Sequence, residues 1–359
     1  MPRHGECALQ LGFAYSSGRY PKLGRLMAPT TSLPVVSGPT YPGISSKAYE
    51  HPSDRAATAA LASIPLLNTV LKKLSELRLE RTLQQILLAD AIRIDERQMP
   101  DIWAKHLRGL AALDIQKKVE LYLVTFPIAN AAAIGTNRPM VVVNSGLVSG
   151  LNDEELFAVL SHEHGHVLSE HMHYLTVMII LQRMLASGLS PIGMLPLRAL
   201  LLVLLEWHRC AELSCDRAAA LVTADPLIVC QGLMRVTGGG VKGLNLDAFI
   251  QQSNDYIDHD DVLARPGRFL RELGRTHPYS VRRVRELTRW VSEGDYDRIR
   301  GGSYVHRGDE PPPSEEMKTA AEHYRKRFLE VVDRVSGGVQ KLADQFGSWL
   351  RSEGAEHET

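Results

Sequence analysis

A mainly helical fold with one small β-hairpin is what this sequence predicts, and three observations carry that reading. Apolar residues recur at helical spacing along most of the chain after Asp54. Two short runs break that period, residues 120–126 (ELYLVTF) and 139–147 (PMVVVNSGL), and both are rich in β-branched and aromatic residues. GTNR between them supplies turn chemistry. With 359 residues, 44% of them hydrophobic, the chain can bury a sizeable core in one or two domains, which excludes a disordered or fibrous protein.

The elements follow in order. Residues 1–48 mix Gly, Pro and Ser with scattered Arg and Lys and read as a flexible tail; it has no apolar core of signal-peptide length, so secretion is not expected, and Met27 is an alternative start. Between Asp54 and Ile94 the helical period is broken at Pro65, with Leu71, Leu74, Leu77 and Leu79 lining the second piece. Pro100 suits a first helical turn, and Trp103, Leu107 and Leu110 continue that helix. Asp153, Glu154 and Glu155 complement a helix N-terminus, and Leu156, Val159 and Leu160 give that helix a buried face. Further helices are expected near residues 200–220, 246–257 and 280–291. The main domain thus spans residues 49–307, and residues 308–359 read as a linker (GDEPPPSEE) and an amphipathic helix over 324–350, weakened at Gly337 and Gly338.

Charge and cysteine usage narrow the function. Lys plus Arg and Asp plus Glu balance at 41 each, so no global field draws the chain to nucleic acid, and no nucleic-acid partner is expected. Eight arginines between Arg265 and Arg289 are interspersed with Glu272 and Glu286 at helical spacing, which suits a solvated, salt-bridged face better than a nucleic-acid or lipid patch. Four cysteines, Cys7, Cys210, Cys215 and Cys230, are too few for a disulfide framework and point to a reducing, cytoplasmic setting. Residues 174–205 are mostly apolar, but Arg183, Pro191, Pro196 and Arg198 divide them into pieces below spanning length. Two readings stand: a helical hairpin packed within the protein, or one that makes peripheral contact with a bilayer.

The chemistry-bearing motif is His162-Glu163-His164-Gly165-His166, an H-E-x-x-H sequence inside a segment read as helical on independent grounds. Residues four apart lie one turn above each other, so His162 and His166 can aim two imidazoles at one zinc ion per chain. Glu163 beside them can take a proton from water acidified by the metal and pass it to a leaving amine, which is the chemistry of peptide hydrolysis. A catalytic zinc takes a third protein ligand from elsewhere. Glu212, in an E-x-x-x-D pair with Asp216, is the strongest candidate, with Asp216 placed to orient a histidine ligand as its outer partner. Glu206 lacks an acidic partner one turn on, and Glu170 shares the helix of the two histidines, so both read as structural. Cys210 and Cys215 flank the proposed ligand and read as small hydrophobes, while His164, His171 and His173 read as surface or packing histidines.

With these motifs the chain, from about Tyr49 to Arg307, resembles the HtpX and CAAX prenyl endopeptidase family of zinc metallopeptidases, which are gluzincins. The resemblance implies a gluzincin-type fold, His162, His166 and Glu212 as zinc ligands and Glu163 as general base. It matches Asn130, Ala131 and Gly135 to a substrate-receiving strand edge, where an extended peptide would pair with free backbone groups; a covered edge is the alternative. It also matches Thr276-His277-Pro278, followed by Arg283, to an element near the metal. There His277 would donate to the developing oxyanion, latch the zinc, or merely cap the helix near Ser280. Many relatives carry spanning helices that this chain lacks, so prenyl-protein processing is not expected and protein quality control is the family-level expectation. The expected function is therefore a zinc metalloendopeptidase acting on protein or peptide substrates. Its rival is a non-proteolytic or latched zinc-binding module that recruits unfolded clients.

Overall fold

The computed structural model describes residues 38–76, 79–186, 195–258, 279–312 and 314–333. Thirteen helices among them enclose a small sheet: α1 (Pro52–Ala62), α2 (Pro65–Glu76), α3 (Leu79–Asp90), α4 (Pro100–Ala112), α5 (Ser145–Gly150), α6 (Asp153–Leu168), α7 (Met172–Ala186), α8 (Leu195–Thr223), α9 (Pro226–Thr237), α10 (Leu246–Asp258), α11 (Ser280–Ser292), α12 (Asp295–Arg300) and α13 (Glu315–Asp333). The strands are β1 (Ile92–Ile94), β2 (Glu120–Val124), β3 (Ala131–Ile134) and β4 (Met140–Asn144), in the spatial order β1-β2-β4-β3. The mainly α class with a small sheet is therefore the observed one.

The sheet departs from the expected hairpin in one respect. β2 and β4 are adjacent but parallel, with Glu120 opposite Met140 and Val124 opposite Asn144. GTNR does make a hairpin turn, yet it joins β4 to β3, whose residues Ala131 to Ile134 pair antiparallel with Val143 to Met140. Three alanines in β3 carry little strand propensity, so the run escaped notice. Parallel neighbours need a crossover connection, and β3 lies within it, leaving β3 as an edge strand.

α6 forms where its sequence says it should. Asn152 caps it by accepting from the backbone N–H of Glu154 and Glu155, while the Glu155 carboxylate accepts from the N–H of Asn152. One flank of α6 packs on the sheet and α4 through Leu156, Leu160 and Val167, joining Ile102, Leu121 and Val143. The other lies along α8, its most extensive helix contact, with Phe157 and Ala158 in a cluster that includes Ala218, Leu221 and Trp290. At Gly165 the two helices are so close that a Cβ would stand 2.9 Å from Ala218 Cβ and 3.2 Å from Cys215 Cα. Only glycine permits that crossing.

Three expectations shift against the structure. Residues 38–48, assigned to the tail, belong to the packed fold: Tyr41 and Ile44 are buried, and Tyr41 donates to the Leu221 carbonyl at 2.9 Å. α13 begins at Glu315, inside the stretch read as linker, and packs on α1 and α8 with Phe328 fully buried. α9 was not expected, although Asp225 caps it and Pro226 opens it. Of the apolar segment 174–205, Val177, Leu181, Leu197 and Leu204 are buried in one cluster with Leu61 and Leu67. Among the described residues no helix is long and apolar enough to cross a membrane. The tail up to residue 37, the hairpin tip, the Thr276-His277-Pro278 element and the last part of the C-terminal helix lie outside the described residues.

Candidate metal centre

Two helices bring the site together. α6 carries His162, Glu163 and His166 on the face turned to α8, and α8 answers with Glu212 and Asp216 one turn apart. All five side chains are buried, and all five are ionisable groups whose burial demands partners. The Glu212 carboxylate spans the two imidazoles: Oε2 lies 3.5 Å from His162 Nε2 and Oε1 lies 3.1 Å from His166 Nε2. The two rings stand 5.0 Å apart, nearly perpendicular.

Each imidazole has an outer partner that orients it. His162 Nδ1 is 3.0 Å from Asp216 Oδ1, and since a carboxylate only accepts, Nδ1 carries the proton and Nε2 is left to face Glu212. His166 Nδ1 is 3.1 Å from His171 Nδ1, while His171 Nε2 is 3.2 Å from Asp54 Oδ2. A carboxylate only accepts, so His171 Nε2 donates to Asp54, and with Nδ1 of His166 turned to His171 the Nε2 of His166 is left to face Glu212. Asp54 in turn accepts from Ser214 Oγ at 2.5 Å and from Thr58 Oγ1 at 3.1 Å. Burial alone would raise its carboxyl, but the His171 imidazole and these hydroxyls overcome that and hold it at about 2.

Arg283, at the start of α11, closes the network from the third side. Its guanidinium donates to Glu212 Oε2 at 2.8 Å and to Asp216 at 2.6 and 2.8 Å. Asp216 is pushed up by burial and pulled below its ordinary value by the Arg283 charge. Burial opposes charge on His162 as well, yet Glu212 and Asp216 win and its pKa rises to about 9, so without a cation its Nε2 holds a proton that a bound metal would displace. His166 goes the other way: burial takes it down to about 3 despite Glu212. A nitrogen that resists protonation and a carboxylate oxygen 3.1 Å away form an arrangement that a cation stabilises. Two imidazoles and a carboxylate are borderline donors that suit zinc, and the residues present fit that ion.

Cys215 is the other candidate ligand, since its Sγ groups with His162 and His166 within 4.8 Å. Burial and then the Glu212 carboxylate push its thiol well above the ordinary value, so it stays protonated and packs under Gly165. Cys210, Cys215 and Cys230 are all free and buried.

These side chains open into a cleft of about 620 Å³ lined by His162, Glu163, Glu212, Asp216 and Arg283 together with Asn130 and Ala131. β3 thus begins at the cleft, and the Asn130 carbonyl extends its ladder by accepting from Asn144 N–H at 2.9 Å. Gly135 lies at the far end of β3, away from the cleft lining. Its φ of 106° makes the hairpin turn and its N–H donates to Thr176 Oγ1 at 2.9 Å.

Sequence reasoning missed two residues here, His171 and His208. His171 and His164, read as surface or packing histidines, are both buried, and His171 touches a proposed ligand. Nothing in its spacing signals this, because the chain turns at Glu170 (φ 57°) before reaching it. Arg283, which the family resemblance set near the metal, does reach the centre, although its spacing alone did not distinguish it from the other arginines of its helix. His208 sits one turn before Glu212 with Nε2 3.0 Å from Oε1; the four-residue rule that found Asp216, applied in the other direction, would have found it.

Comparison with known proteins sets this geometry among relatives. Residues 96–291 match the model of peptidase family M48. The chain is 31% identical over 316 residues to the plastoglobule-localized metallopeptidase 48, chloroplastic, of Arabidopsis thaliana, covering 81% of this chain and 90% of that one. It is 28% identical over 230 residues to a protease HtpX homolog of Moorella thermoacetica, covering 56% and 76% of the two chains. Protease HtpX homolog 2 of Methanosarcina mazei is 26% identical over 227 residues, with the same coverage. No solved structure matches the chain.

Proposed function

The chain belongs to peptidase family M48 and is a metallopeptidase, and from that premise we propose that it is a zinc-dependent endopeptidase with Glu163 as general base, acting in protein quality control. The observation that carries this reading is the Glu212 carboxylate spanning His162 and His166 at 3.5 and 3.1 Å, with Glu163 lining the same cleft. His162, His166 and Glu212 would hold one zinc ion. When bound, the ion supplies a Lewis acid that polarises a carbonyl and makes water acidic enough to lose a proton near neutral pH. Glu163 accepts that proton on its carboxylate and returns it to the departing amine. Asp216 and the Asp54–His171 pair hold the two imidazoles in the tautomer that keeps Nε2 inward. Arg283 fixes the carboxylates and balances their charge.

The substrate is an extended stretch of protein. β3 is an edge strand beginning at the cleft, so a peptide laid beside Asn130 and Ala131 pairs with backbone rather than with particular side chains. Val159, Leu233 and Val236 make the facing wall apolar, which favours segments exposed by local unfolding. Glu163→Gln tests the reading. Zinc content stays at one ion per chain while casein cleavage falls by about 10²–10⁴-fold; an undiminished rate rejects Glu163 as base, and the absence of cleavage in the unaltered chain favours a client-recruiting module.

One relative is named for plastoglobules, and we infer a peripheral lipid contact for this chain too. Phe126 and Ile128, 48 and 63% exposed at the cleft rim, are placed to make it, whereas the described apolar side chains of 174–205 mostly serve the core. Flotation with lipid emulsions checks this: Phe126→Ser with Ile128→Ser shifts the chain from the floating to the aqueous fraction.

A further inference from the structure

His208 is the buried ionisable group at the centre that the mechanism above leaves unused. Only 4% exposed, it places Nε2 3.0 Å from Glu212 Oε1, the same oxygen that His166 Nε2 meets at 3.1 Å. The rings of His166 and His208 lie 5.9 Å apart at 30°, and the ligand atoms of His166, His208 and Glu212 all fall within 4.8 Å of one another. α6 and α8 therefore each present a pair of ligand-capable residues four apart, His162 with His166 and His208 with Glu212, and the two pairs face each other.

We propose that His208 is a protein ligand of the metal centre, the fourth beside His162, His166 and Glu212. This rests on the metallopeptidase reading and deepens it. The cleft is lined by His162, Glu163 and Glu212 but not by His166 or His208, so His208 approaches from the side turned away from substrate. A fourth ligand from that side would leave the cleft side open to water and substrate. Its consequence is retention: three imidazoles and a carboxylate hold a divalent ion more tightly than two imidazoles and a carboxylate.

Zinc affinity by chelator competition and the visible absorption of the cobalt-substituted protein test this without relying on activity. His208→Ala lowers zinc affinity by more than the roughly 10–100-fold that loss of an outer partner costs, and it shifts the cobalt bands. His208→Gln keeps a hydrogen-bond donor for Glu212 but supplies no imidazole, so it behaves like the alanine variant if His208 binds metal. Zinc affinity and cobalt bands matching the unaltered protein in the glutamine variant reduce His208 to a positioning role and overturn the proposal. X-ray absorption on the unaltered zinc-loaded chain decides the matter even if both variants misfold: three imidazoles support it, two overturn it. A chain that binds no zinc at all rejects the metallopeptidase mechanism instead, so the two failures are distinct.

Discussion

The two flanks of α6 each bury histidine, and they surround it differently. Toward α8, His162 lies among Glu212, Asp216 and Arg283, and its pKa is lifted to about 9. Toward α4, His164 Nε2 meets His106 Nδ1 at 2.9 Å, and His106 Nε2 meets only the Val119 carbonyl at 3.0 Å. No acid is paired with either ring among the described residues, and His164 Nδ1 has no hydrogen-bond partner there. Burial takes His106 down to about 4 and His164 well below its ordinary value. The same residue type on the same helix thus sits among carboxylates on one flank and is inert packing on the other. Glu212 and Asp216 together lift His162, whereas burial still takes His166, also beside Glu212, down to about 3.

The largest effect is expected where those carboxylates lose their cation. Arg283→Met leaves Glu212 and Asp216 buried with no guanidinium, and breaking such a buried pair from one side costs about 3–5 kcal/mol. Urea denaturation of the metal-free chain should show that loss, and zinc should restore part of it by supplying positive charge at the same carboxylates. A metal-free variant as stable as the parent would mean that Arg283 is not what holds the front flank together.

Next in size is the pH response of the rear flank. His106 binds its proton near pH 6.5 when unfolded and near 4 when folded. Between those values the unfolded chain holds more protons, so stability is full above pH 6.5 and falls as pH drops toward 4. The integrated loss is roughly 3 kcal/mol at 1.36 kcal/mol per pH unit. Denaturation midpoints across this window should show the slope, and His106→Phe should reduce it without abolishing it, since His164 and His166 are also held below their ordinary values. A slope undiminished by the substitution would assign the acid sensitivity to other groups.

How much of this was legible follows from what spacing encodes. H-E-x-x-H on a helix and E-x-x-x-D on another are local patterns, and they located His162, Glu163, His166, Glu212 and Asp216, which the structure brings together. Gly165 was visible as a motif position, but its reason, the crossing of α6 over α8, is tertiary. Arg283 reaches the centre from a helix 67 residues beyond Asp216, and its solvated arginine neighbours carry the same local signal. Asp54 and His171 meet across 117 residues with no shared period. The strand β3 failed for a different reason: alanines pack well on a sheet held by its neighbours but do not announce one.

The smallest effects come from two glycines, and they sharpen the contrast because they sit on opposite flanks of the same helix. A Cβ at Gly165 would press on Ala218 and Cys215 of α8, and one at Gly109 of α4 would stand 2.4 Å from His164 Nδ1. Alanine favours a helix over glycine by about 1 kcal/mol, so with room to spare both substitutions would stabilise. Neither has room, and overpacking of this kind costs about 1–3 kcal/mol, leaving Gly165→Ala and Gly109→Ala each net destabilising by roughly 1 kcal/mol. They part company in metal affinity. Gly165→Ala pushes α8, and with it Glu212, away from the two imidazoles, so zinc binding should weaken. Gly109→Ala disturbs only the inert pair, so zinc binding should be retained at the parent's level. Equal zinc affinities in two folded variants would show that the front flank tolerates displacement, and with it that the closeness of α6 to α8 is a packing feature rather than a condition of the metal centre.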